Sequence, residues 1–189
     1  MEITWHDNTC FTIREKNTAL VVSPHGKAGK LKGNIVLSGP EESVEVEGME
    51  KLFDWPGEYE IKNIGITALP VGTKEGKNDT MIFCFQIEGV KFCHLGELGH
   101  MLNSDTIKEI GDVDVLMIKV GKNSNLDAKQ AMEIIEPIEP RAVVPMGEDQ
   151  ISALKDIGAG KTEPQDKFVI KSMSDLPEGE MKYVVLNKA

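Results

Sequence analysis

A chain of 189 residues is long enough for one sizeable hydrophobic core and short of two, so a single domain over 1–189 is expected. Its 21 basic and 31 acidic residues leave a net charge of −10, which argues against nucleic acid, because phosphate binding needs a basic face. No run of about 18 apolar residues spans a membrane, and residues 1–6 lack a secretory signal, so no membrane association is expected. Three cysteines without C-x-x-C spacing fit reduced thiols and a cytoplasmic location.

Residues 3–5, 10–14 and 19–22 are short β-type runs, with His6, Asp7 and Asn8 turning between the first two. Lys27, Lys30 and Lys32 gather in a Gly-rich loop and read as a solvated face. Further strands are expected at 34–37, 43–46 and 51–55, broken by Gly39-Pro40 and Glu47-Gly48. Two hairpins follow: 58–61 with 64–69, turning at Lys62-Asn63, and 81–87 with 90–94, turning at Glu88-Gly89. Pairing Ile87 with Val90 sets Cys84 opposite Cys93 at a non-hydrogen-bonded position, where opposing Cα atoms come closest. A disulfide fits that geometry; two thiols are the expectation in a reducing cytosol.

Beyond residue 100 the pattern changes. Ser104 is placed to cap a short helix through Ile110, stopped by Gly111. Residues 113–120 hold the apolar core Val115, Leu116, Met117 and Ile118, which fits a strand buried on both faces. Asp127 caps a second helix with Ala131, Ile134 and Ile135 inward and Pro137 as its stop. A strand at 141–146, a third helix at 150–157 ended by Gly158, a polar loop to Asp166, and late strands at 168–170 and 183–186 complete the chain. A β-rich half, 1–100, thus precedes an α/β half, 101–189.

The stretch richest in chemistry is His94-Leu95-Gly96-Glu97-Leu98-Gly99-His100. A histidine, a carboxylate three residues on and a second histidine leave an apolar strand through two glycines. Strand ends feeding such loops are where metal ligands and catalytic groups are presented. No G-x-S-x-G elbow or Walker loop competes with it. His6 and His25 read as structural or exposed, and His100 is given no metal role. Asp54, Glu41 and Glu42 read most simply as turn and loop carboxylates.

In their order along the chain, these segments resemble the metallo-β-lactamase superfamily, and most of all its compact branch of Zn-dependent hydrolases related to the ascorbate-phosphate lactonases. The first hairpin, Val21-Val22-Ser23-Pro24, Pro56-Gly57-Glu58-Tyr59, the His94 run and Pro145-Met146 are similar to segments of that family. The resemblance implies an α/β fold, a four-layer αββα sandwich with its first-half helices reduced. It also implies a metal site, and here the chain departs. The family's His-x-His-x-Asp-His motif aligns with 38–44, so that Gly39, Glu41, Ser43 and Val44 stand at ligand positions. Its last histidine aligns with Gly147, and its bridging aspartate with Glu97. The metal ligands left are His94 and Glu97, with Glu41 as a weak third, against the three protein ligands that catalytic zinc generally takes. The expectation is therefore a degenerate site without cofactor, zinc being the cofactor if the site is retained. The chain then serves as a binding or interaction module with a small-molecule or protein partner. The alternatives are an active hydrolase of a small ester, lactone or phosphorylated substrate with an atypical one-metal site, and a structural subunit of an assembly.

Overall fold

The computed structural model of the protein describes residues 1–39, 44–71, 80–121, 124–148, 150–156 and 162–189. Two β-sheets stack face to face. The first has six strands. A meander of β1 (Glu2–Asp7), β2 (Cys10–Glu15) and β3 (Thr18–Val22) continues in parallel to β5 (Ile35–Leu37) and β7 (Lys51–Phe53). β4 (Leu31–Lys32) and β6 (Val46–Glu47) form a separate two-stranded ladder.

The second sheet has seven strands. β8 (Gly57–Ile61), β9 (Ile64–Val71), β10 (Thr80–Ile87) and β11 (Val90–His94) are antiparallel neighbours. β12 (Val115–Lys119), β13 (Ala142–Met146) and β15 (Lys182–Tyr183) extend it in parallel. The remaining strand, β14 (Phe168–Val169), pairs with β1, so the late chain returns to the first sheet.

Alternation along the strands builds the core between the sheets. Ile3, Phe11, Ile13, Leu20 and Ile35 of the first sheet meet Phe83, Phe85, Phe92, Met117 and Val144 of the second. The opposite face of the seven-stranded sheet, with Ile82, Cys93, Leu116, Ile118 and Val143, packs against helices. These are α1 (Ser104–Ile110), α2 (Ala128–Ile138) and α3 (Gln150–Asp156). β12 is buried on both sides, as its unbroken apolar run implies. The outer face of the first sheet, with Cys10, Val21 and Val36, is covered among the described residues by Ala28, Leu31 and Val46, not by a helix. The αββα sandwich is thus full on one side and reduced on the other.

Several local expectations change. Asn103, not Ser104, caps α1, its Oδ1 accepting from the N–H groups of Asp105 and Thr106. Its extended backbone puts the carboxamide under the first turn, while Ser104 is already helical. α2 starts as expected, with an Asp127–Gln130 capping box. It runs past Pro137 to Ile138, because the proline removes one donor from the last turn and Glu139 still closes onto the Ile135 carbonyl in a left-handed conformation, φ 49°. Of the strand expected at 43–46 only Val46 is in a strand: β6 is Val46–Glu47, residues 44 and 45 precede it, residue 43 lies outside the described residues, and its partner β4 was not revealed by the sequence. The strand expected at 183–186 is ladder-paired at Lys182 and Tyr183, with Leu186 in a single bridge to Gln165. The end of α3 expected at 157–158 lies outside the described residues.

Candidate functional site

β11 ends at His94, and the chain turns at once through Gly96. Gly96 sits at φ 58°, and a Cβ there would stand 2.7 Å from the Met81 carbonyl oxygen and 2.8 Å from Thr80 Oγ1. Only glycine fits a left-handed turn pressed so closely on β10. This turn brings three elements together: the His94–Glu97 loop, the β1–β2 turn and the end of β12.

His94 is fully buried. Its Nε2 lies 2.8 Å from the Thr9 carbonyl oxygen and its Nδ1 lies 3.2 Å from the Gly96 N–H. A carbonyl requires a donor and an N–H requires an acceptor, so the ring is the neutral Nε2–H tautomer. Phe11 packs edge-on against it, ring centroids 5.9 Å apart. Burial drives the His94 pKa down to about 4, against the weaker upward pull of the Thr9 carbonyl and the Glu97 charge.

Glu97 is one-third exposed and accepts from two sides. Asn8 Nδ2 donates to its Oε1 at 2.6 Å, and the Lys119 ammonium lies 2.6 Å from its Oε2. Lys119 is 11% exposed, so the pair is shielded more than a surface pair would be. The Glu97 N–H donates to Thr80 Oγ1 and its carbonyl accepts from Asn125 Nδ2. Lys119 stands opposite Met146 in the β12–β13 register, one residue before Gly147. A Cβ on Gly147 would lie 3.2 Å from Lys119 Cγ and 3.1 Å from the Val120 carbonyl oxygen, at φ 103°. The Lys119 stem therefore fills the space that a side chain at 147 would enter.

The β1–β2 turn does more than turn. Thr9 and Asn8 supply partners to His94 and Glu97, and Asp7 accepts from Lys188 at 2.7 Å. Burial raises the Asp7 carboxyl, but Lys188 and the Asn8 N–H outweigh it and hold its pKa below the ordinary value. His25 Nε2 reaches the Asp7 carbonyl at 3.2 Å, and His6 bonds Thr12 Oγ1 at 2.7 Å. Exposed His100 turns to the Met101 carbonyl, away from His94.

The structure therefore brings His94 and Glu97 into one corner, as their spacing implied. Gly39, Gly147 and Val44 offer no side-chain ligand atom, a side chain at 147 would be crowded by Lys119, and Glu41 and Ser43 lie outside the described residues. Among the described residues no three His, Cys, Asp or Glu side chains converge as a ligand set. The two candidate ligands do not fit a metal as they stand, since both His94 nitrogens are engaged and Glu97 holds an ammonium. Sequence reasoning missed Asn8, Thr9, Thr80 and Lys119. The visible signal was Lys119 itself, a charge closing the buried run 115–118.

The fold and this corner define a metallo-β-lactamase-like sandwich. A family model described as a beta-lactamase superfamily domain matches residues 2–147, and the chain belongs to that superfamily. A Thermotoga maritima structure of the metallo-beta-lactamase superfamily superposes with a TM-score of 0.81 at 24% identity, covering 98% of this chain and 97% of that one. A UPF0173 protein of Pyrococcus furiosus is 24% identical, over 77% of this chain and 82% of its own length. A UPF0173 metal-dependent hydrolase of Carboxydothermus hydrogenoformans is 30% identical over 64 residues, 34% of this chain. That match spans only 28% of the Carboxydothermus protein. Among the described residues no helix is long and apolar enough to cross a membrane.

Proposed function

We propose that this chain is a metallo-β-lactamase-fold protein whose catalytic metal has been replaced by its own ion pair, and that it works as a binding or interaction module. The observation that carries this reading is Lys119 on Glu97 at 2.6 Å, beside a His94 whose two nitrogens both have backbone partners. A positive charge already neutralises the carboxylate, and a metal would have to displace it and break the Thr9 bond. Loss of one function on a retained fold needs no change of architecture. An interaction role is supported by exposed Leu52 on edge strand β7 and by Met49 and Trp55 in the segments that flank it, Trp55 exposed by 73%. The partner is a small molecule or a protein, and reduced thiols fit a cytoplasmic setting.

Metal analysis of protein purified without chelator tests this. The expected result is far less than one zinc per chain, with a melting temperature unmoved by added zinc. About one zinc per chain, lost in Glu97→Gln, would overturn it.

A second reading draws on the similarity to the Carboxydothermus metal-dependent hydrolase: an active hydrolase, here of a small ester, lactone or phosphorylated substrate, with an atypical one-metal site. It requires His94 to leave Thr9, Glu97 to leave Lys119, and Glu41 to supply a third group. Zinc-dependent release of a chromogenic ester or phosphate, abolished by Glu97→Gln, is the result that would favour it. A structural subunit predicts a stable oligomer in light scattering, and a clean monomer counts against it.

A further inference from the structure

On the outer face of the seven-stranded sheet, Cys84 of β10 stands directly opposite Cys93 of β11. Ile87 and Val90 flank the two-residue turn as a hydrogen-bonded pair, which makes 84 and 93, three steps out, a non-hydrogen-bonded pair. Such pairs hold their Cα atoms at about 4.5 Å, inside the window a disulfide requires. The backbone beneath is held firmly, since Phe85 and Phe92 stack at 5.1 Å on the opposite face.

The two sulfurs differ in access. Cys93 is fully buried under the helical layer. Cys84 is half-buried and borders an open depression of about 340 Å³, whose rim includes Thr67, Lys91, Ile110 and Asp112. Cys93 does not line this depression and Cys84 does, so Cys84 is the sulfur that a small disulfide meets first. Cys10, the third thiol, is buried in the cluster outside the other sheet.

We propose that Cys84 and Cys93 form a thiol–disulfide exchange site that low-molecular-weight disulfides reach through this depression, with Cys84 as the entering sulfur and Cys93 as the resolving one. Cys84 gives its proton to solvent and its thiolate attacks one sulfur of the small disulfide. That sulfur–sulfur bond breaks, one thiolate leaves and takes up a proton, and a mixed disulfide remains on Cys84. Cys93 then loses its proton and attacks Cys84 Sγ, expelling the second small thiol. Two protein thiols are oxidised to one disulfide, and one small disulfide is reduced to two thiols. The pair is pre-positioned, so closure asks for little backbone movement. None of this depends on whether the His94 corner binds a metal.

Incubating the full chain with oxidised glutathione, then quenching in acid and measuring intact mass, tests the proposal. The wild type should lose two hydrogens, and peptide mapping should find a single Cys84–Cys93 bridge reopened by reduced glutathione. Cys93→Ala should stop at one glutathione on Cys84, whereas Cys84→Ser should take up at least tenfold less than Cys93→Ala. A wild type that retains a glutathione adduct, bridges through Cys10, or stays fully reduced while folded would each overturn the assignment. The wild-type result decides the matter even if a variant folds poorly.

Discussion

One hairpin, β10–β11, carries two polar regions built on opposite terms. At its open end, His94 and Glu97 are met by Thr9, Asn8, Thr80 and Lys119, from the β1–β2 turn, β10 and β12. In its middle, two thiols face each other across neighbouring strands, one reachable from a depression. In the first region the donors and acceptors are paired with other protein groups. The second leaves one thiol at the rim of a depression. Nominal site residues in a fold family therefore say less about reactivity than the partners those residues already have.

Removing the centre of the closed region should have the largest effect. His94→Ala leaves the Thr9 carbonyl and Gly96 N–H unpaired in a buried void, at a cost of about 4 kcal/mol. In a chain of this size that lowers Tm by roughly 10 °C in thermal melts.

Next comes pH. His94 has a folded pKa of about 4, below its unfolded value of 6.5. Between these values the unfolded chain takes up a proton that the native state refuses, so stability falls as pH drops from 6.5 to 4 and levels off below. The loss is on the order of 3 kcal/mol, read from urea midpoints across that window. His94→Gln should flatten this slope. An unchanged slope would assign the acid sensitivity elsewhere.

Gly96→Ala should cost about 2 kcal/mol or more, since its Cβ meets backbone at 2.7 Å in a left-handed conformation. Denaturant unfolding measures it, and a neutral result would mean that the turn can move. Lys119→Met should cost about 1–2 kcal/mol by stranding the partly shielded Glu97, and adding Glu97→Gln should recover much of that in a double-mutant cycle. Cys84→Ser should change stability by less than about 1 kcal/mol, because the side chain is half-buried at a rim. A large loss there would erase the contrast between the two regions.

Much of the sandwich was legible because its signals are local. The Glu88-Gly89 turn fixes the register that pairs Cys84 with Cys93, and Asp127 with Gln130 announces the start of α2. The His94–Glu97 spacing located the corner. What could not be read is long-range. Thr9 and His94 are 85 residues apart, and nothing in a turn reading of Asp7 and Asn8 says which loop they will cap. The β4–β6 ladder is equally hidden, because two-residue strands carry no periodicity. Lys119 was visible as a charge after four apolar residues, but its meaning needed the β12–β13 register that lays it over Gly147.

The pairing of β14 with β1 joins Glu2 to Val169 and Ile3 to Phe168. During synthesis on the ribosome, the outer edge of β1 waits for more than 160 further residues before its partner arrives. Until then that edge of the first sheet is open to other chains, so a slow translation step or a nearby nascent chain would lengthen its exposure.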